Sequence, residues 1–191
     1  LNGTLVAQSH LDQSRLAWFD HTGRETGTVS TPGAYNTLRL SHDGAALAFA
    51  RMRPELGTHD LWRADLERPG ETRLTSAAGM EVGETWTPDG RTMVFASGQG
   101  GAPNLFAKDL ATGVERRLLT SARFQLPEDV SPDGSLVAYR ERTEQGDWDL
   151  LTVSLTTPDR PAPLLATSAS EAQGQFAPNG RFLAFASDAS T

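Results

Sequence analysis

Four tetrapeptides recur along the chain at nearly equal spacing: Ser41-His42-Asp43-Gly44, Thr87-Pro88-Asp89-Gly90, Ser131-Pro132-Asp133-Gly134 and Ala177-Pro178-Asn179-Gly180. Their glycines stand at 44, 90, 134 and 180, so the intervals are 46, 44 and 46 residues. A repeat of that period constrains a chain more than composition does, because the whole fold must be copies of one supersecondary unit. Each tetrapeptide is a turn. Proline presets φ at the second position, Asp or Asn tolerates the third, and glycine accepts a left-handed fourth. Such a turn joins two antiparallel strands in a tight hairpin.

The flanks repeat too. After each turn comes a short apolar run: Leu47-Ala48-Phe49-Ala50, Met93-Val94-Phe95-Ala96, Leu136-Val137-Ala138-Tyr139 and Leu183-Ala184-Phe185-Ala186. A near-continuous run of that length predicts a strand covered on both faces. Further on lie Asp60 to Leu66, Asn104 to Leu110 and Asp149 to Leu155, followed by Arg73-Leu74-Thr75-Ser76, Arg117-Leu118-Leu119-Thr120-Ser121 and Leu164-Leu165-Ala166-Thr167-Ser168. With the strands that end at Leu40, Trp86, Val130 and Phe176, every period holds four short strands. No stretch sustains a 3.6-residue apolar stripe, so almost no helix is expected.

Four strands in a period of about 45 residues make a β-propeller blade. A lone blade has two apolar faces and must stack against its neighbours around a channel. The expectation is one all-β propeller domain over 1–191, with whole blades at 35–80, 81–124 and 125–170 and partial blades at 1–34 and 171–191. Two arrangements fit: the ends meet in a closed four-bladed ring, or the chain is an open arc of a larger one. An arc exposes strand edges and blade faces, which invites self-association.

The order Ser/Thr-Pro-Asp-Gly, Leu/Val-Ala-Phe, Asp-Leu-Trp, Arg-Leu-Thr resembles the WD40-like PD40 repeat of TolB-type propellers, and the likeness covers essentially the whole chain. His42 replaces the usual proline and Asn179 the usual aspartate, and both suit the turn. The segment Leu16-Ala17-Trp18-Phe19-Asp20, then Gly27-Thr28-Val29, Pro32-Gly33 and Arg39-Leu40-Ser41 is similar to propeller segments of bacterial membrane-tethered serine/threonine kinases and sensor proteins. Such propellers commonly have about six blades, which implies an incomplete ring here. The resemblance further implies a non-catalytic platform for protein or ligand recognition, in a periplasmic or otherwise extracytoplasmic setting. It also implies an alternative, the substrate-gating propeller of a prolyl-oligopeptidase-like peptidase.

Composition bears on what such a propeller can bind. With 24 acidic and 17 basic residues the net charge is −7, and the arginines are scattered, which disfavours nucleic acid as a partner. No apolar run approaches the roughly 20 residues that span a bilayer. Cysteine is absent, which removes thiol chemistry and cysteine-bound metals. His10, His21, His42 and His59 lack metal-site spacing, no Gly-x-Ser-x-Gly elbow occurs, and Gly98-Gln99-Gly100-Gly101 lies between two strands. Neither catalytic residues nor a cofactor are therefore expected.

The chemistry concentrates on the innermost strands. Glu81 and Glu84, Glu128 and Asp129, and Glu171 with Gln173 and Gln175 fall just before the turns, where the first whole blade has Asn36 and Arg39. On channel-lining strands these carboxylates would converge at one mouth. A basic peptide or protein suits such a mouth, as does a hard cation such as calcium, and an ordinary wet lining has the same composition. Asp60, Asn104 and Asp149 recur at the start of the third strand and read as loop caps. Trp18, Trp62, Trp86 and Trp148 read as packing between blades, and the loop from Arg140 to Asp147 as a rim contact or a solvated hairpin.

Overall fold

The computed structural model describes residues 4–8, 14–68 and 70–189, the first five through their backbone alone. The described residues form strands and no helix. Three antiparallel sheets have four strands each. The first is β4 (Tyr35–Leu40), β5 (Ala46–Arg53), β6 (Thr58–Asp65) and β7 (Glu71–Arg73); the second is β8 (Glu81–Trp86), β9 (Thr92–Ser97), β10 (Asn104–Asp109) and β11 (Glu115–Arg117). The third is β12 (Gln125–Val130), β13 (Leu136–Arg142), β14 (Trp148–Ser154) and β15 (Ala162–Leu165). Before them stands a three-stranded sheet of β1 (Thr4–Gln8), β2 (Arg15–Phe19) and β3 (Glu25–Thr28). After them comes a pair, β16 (Glu171–Phe176) and β17 (Leu183–Ser187). In every sheet sequential strands are neighbours, and the inner strands β4, β8, β12 and β16 lie side by side in that order.

The turn chemistry explains the hairpins. Ser41, Thr87 and Ser131 each donate their hydroxyl to the Asp two residues on, at 2.6 Å. The same hydroxyls accept the amides of Ala46, Thr92 and Leu136, at 2.9, 3.0 and 2.9 Å. The carboxylates of Asp43, Asp89 and Asp133 also accept the amide two residues further along. These bonds hold all three carboxyls below the usual aspartate range, Asp133 at about 2. The glycines have φ of 69°, 67°, 73° and 67°, which a side chain would strain. Ala177 has no hydroxyl, so of the side-chain bonds the fourth turn keeps the one from the Arg181 amide to Asn179, beside its backbone bonds.

Blades stack because alternate residues of the second strand serve opposite interfaces. Leu47 and Phe49 pack backwards on Leu16 of β2. Ala46, Ala48 and Ala50 face forwards, where Met93 and Phe95 of the next sheet fill the space they leave. Val94 in turn faces forwards onto Val137 and Tyr139. All of these side chains are almost fully buried. The fourth apolar run differs from expectation. Phe182 and Phe185 are 66% and 46% exposed, because no third strand or further blade covers them among the described residues. The first and last sheets remain separate, so the closed four-bladed alternative is not what the chain adopts; it is a partial propeller.

Candidate functional site

Each inner strand slips register shortly before its turn: between Tyr35 and Leu38, Val82 and Thr85, Pro127 and Asp129, and Ala172 and Gln175. A bulge adds a residue to one strand and re-aims the side chains around it. Gly83 and Gln173, at matching positions, have φ of 69° and 60°. Gly174 has no room for a side chain, since a Cβ there would stand 2.9 Å from Cδ1 of Leu150.

These bulges divide the five candidate acids. Glu81, Glu84 and Glu171 are each only 1% exposed. Thr167 donates its hydroxyl to Glu171 at 2.5 Å, and Ser97 and Thr75 donate to Glu81. This gives the recurrent Arg-Leu-Thr stretch a role: its threonine ties one blade's end to the start of the next inner strand. Burial raises the Glu81 carboxyl above its ordinary range. Glu84 accepts a 2.6 Å bond from Thr37 Oγ1 of the preceding sheet, and its other oxygen is buried without a partner. Burial pushes its pKa up to about 7, with Thr37 and Arg39 opposing.

Glu128 and Asp129 do line an open space. They share a cavity of about 280 Å³ with Arg39, Gln173, Gly174 and Gln175. Asp129 Oδ2 accepts the amide of Phe176 at 2.8 Å, fastening β12 to β16. Glu128 forms an ion pair with Arg140 at 3.2 Å, and burial raises its carboxyl although Arg140 opposes the shift. Arg39 reaches past β8 to donate to the Glu128 carbonyl oxygen at 3.2 Å. The mouth is therefore mixed in charge. Two of the five predicted acids meet there, and the other three lie inside the sheets.

Arg39 and Thr37 carry more of this site than the sequence indicated. Arg39 occupies the place of Thr85, Asp129 and Gln175 in the other inner strands, and that mismatch was the available signal. Among the third-strand residues, Asn104 caps as expected, accepting the Ser121 amide at 2.9 Å. Asp60 does something else: fully buried, it pairs with Arg53 at 3.2 Å and Arg73 at 2.5 Å. Trp86 packs between blades and donates Nε1 to the Arg39 carbonyl at 3.1 Å. Trp148 packs at a tilt of 58° against Phe124, with Arg140 over its ring. His21 and His42 are exposed, His59 is half-buried, and His10 lies outside the described residues. Among the described residues no group of three or more acids or histidines is arranged to hold a metal ion.

The repeat, its hairpin chemistry and its blade stacking have a counterpart among known proteins. The sequence profile of the TolB β-propeller domain (PD40) matches residues 14–191. The chain belongs to the TolB β-propeller family. TolB from Acinetobacter baumannii superposes with a TM-score of 0.79 at 22% identity, over 95% of this chain and 45% of that one. A protein assigned as TolB in Agrobacterium tumefaciens superposes with a TM-score of 0.78 at 18% identity, over 96% of this chain and 65% of that one. Dipeptidyl-peptidase 5 of Porphyromonas gingivalis is 30% identical over 93 residues, covering 44% of this chain and 14% of the peptidase. The chain thus spans less than two thirds of the length of each of these three proteins.

Proposed function

We propose that this TolB-family propeller segment is a non-catalytic recognition or scaffold module of a larger bacterial protein, and that its channel face takes a protein or peptide segment carrying positive charge. The observation that carries the reading is the cavity on the inner strands, where Glu128 and Asp129 stand beside the amides of Gln173 and Gln175. Channel-lining strands of successive blades offer one partner several contacts at once. An excess of acid across the chain favours approach of a basic segment. An extracytoplasmic setting, in a membrane-tethered kinase or sensor, belongs to the same reading and is supported by the pattern from Leu16 to Ser41. Self-association through the uncovered edge of β17 is the partner choice that the exposed Phe182 and Phe185 support.

Titration calorimetry with an arginine- and lysine-rich peptide tests the channel reading. Binding should weaken with added salt, and Asp129→Asn should lower affinity by about tenfold, the worth of one partly screened charge pair. Asparagine keeps the acceptor for the Phe176 amide, so the tie between β12 and β16 persists. Equal binding by both proteins would remove the Asp129 carboxylate from the account. The stretch shared with dipeptidyl-peptidase 5 favours a second reading, a propeller that filters peptides for a separate hydrolase domain. That reading expects neutral peptides to bind as well as basic ones, without dependence on Asp129.

A further inference from the structure

We infer that Glu84 and Thr37 form a proton-controlled joint between the sheet β4–β7 and the sheet β8–β11, closed while Glu84 is neutral and loosened when it ionises. The inference is independent of any partner at the channel. Its basis is geometric. Glu84 sits in the β8 bulge, turned into the contact between the sheets and 1% exposed. Only one of its oxygens is satisfied, by Thr37 Oγ1 at 2.6 Å. A neutral carboxyl tolerates that poverty of partners; a carboxylate in the same place lacks solvation on its bare oxygen.

The surrounding charges do not rescue the ionised form. On β4 the one charged side chain is Arg39, which favours the anion but is engaged with the Glu128 carbonyl. On β5, Arg51 is paired with Glu71 and Arg53 with Asp60. On β6, Asp60 is paired, Arg63 lies over the Trp86 ring at 6.0 Å, Asp65 ends the strand, and burial lowers the pKa of His59, which disfavours its charged form. On β12, Glu128 and Asp129 are themselves acids, and β9 has no charged residue. On β8 itself, Glu81 is a second buried acid.

The sign follows from linkage. The folded carboxyl titrates above its unfolded value of 4.5, at about 7, so the folded state holds the proton over that interval. Stability attributable to Glu84 is present below pH 4.5, is lost as pH rises towards 7, and stays lost above it. Glu84→Gln keeps the shape and abolishes the ionisation. Its urea unfolding constant should match wild type within a fewfold at pH 4.5 and be on the order of 100-fold more favourable to the fold at pH 8.

Two further measurements keep the test decisive if that variant folds poorly. Thr37→Val removes the one side-chain bond to the carboxyl and leaves the contribution of Glu84's own backbone amide, so the inflection of wild-type stability should move to higher pH; a uniform loss at all pH values would mean a purely structural threonine. The Trp86 indole N–H crosses the same joint to the Arg39 carbonyl. Its solvent exchange, corrected for base catalysis, should accelerate through pH 7 in wild type and not in Glu84→Gln. A pH-independent difference between the two proteins, or a Glu84 carboxyl titrating near 4.5, would overturn the inference.

Discussion

Replacing Asp60 by alanine should destabilise the chain by about 3 kcal/mol, read as a lowered urea midpoint at neutral pH. Removing one partner of a buried ion pair typically costs about 3–5 kcal/mol, because the remaining charge is left in a poorly solvated place. The low end applies here for a reason visible in the partners. Arg53 also donates to the Ala77 carbonyl at 3.0 Å and Arg73 to the Thr75 carbonyl at 2.8 Å. The Arg73 side chain is 36% exposed, so it can swing into water, whereas Arg53 is 17% exposed and cannot readily do so. Adding Arg53→Met to Asp60→Ala should therefore recover part of the loss, and adding Arg73→Met should recover less. Equal recovery from both would mean the two arginines are equally trapped, against this reading of their exposure.

Phe95→Ala should cost about 3–5 kcal/mol, the range for emptying a buried aromatic site. Phe95 is fully buried on β9 and stacks on Phe106 with ring centroids 6.0 Å apart. It is also the large partner of an interface whose other side is built from Ala46, Ala48 and Ala50. Alanines on strand β5 cannot move in to close the gap, because Leu47 and Phe49 on the opposite face anchor that strand to the preceding core. Phe95→Leu should cost clearly less, since most of the volume is retained. Near-equal stability of the alanine variant and wild type in urea unfolding would mean that this blade interface is not tightly packed.

Much of this fold was legible because its information is local. The Pro-Asp-Gly turns declare hairpins from four residues, and the strands before them end at Leu40, Trp86, Val130 and Phe176 as the repeat predicts. Alternation within Met93-Val94-Phe95-Ala96 announces two buried faces without saying which interface each one serves. What resisted reading depends on pairing across sheets. Register slips in β4, β8, β12 and β16 leave no mark in composition, yet they determine that Glu84 turns inwards while Glu128 and Asp129 meet the cavity. The place of Glu81 and Glu171 just before the turns puts them on channel-lining strands, but their partners Thr75 and Thr167 lie in the loops that precede them. Arg39 was visible as an exception to the acidic pattern, but its reach past a whole blade to the Glu128 carbonyl has no local signature. Coverage of an apolar run also depends on what stacks beside it, which is why Phe49 and Phe185 share a motif and differ in exposure.

The proposed function stands on where a partner lands, and amide and side-chain chemical-shift mapping with the basic peptide locates that directly. The account predicts perturbations centred on Arg39, Glu128, Asp129, Gln173 and Gln175, with loss of those shifts in Asp129→Asn. Perturbations centred on the turn aspartates Asp89 and Asp133, or on the uncovered Phe182 and Phe185, would contradict it.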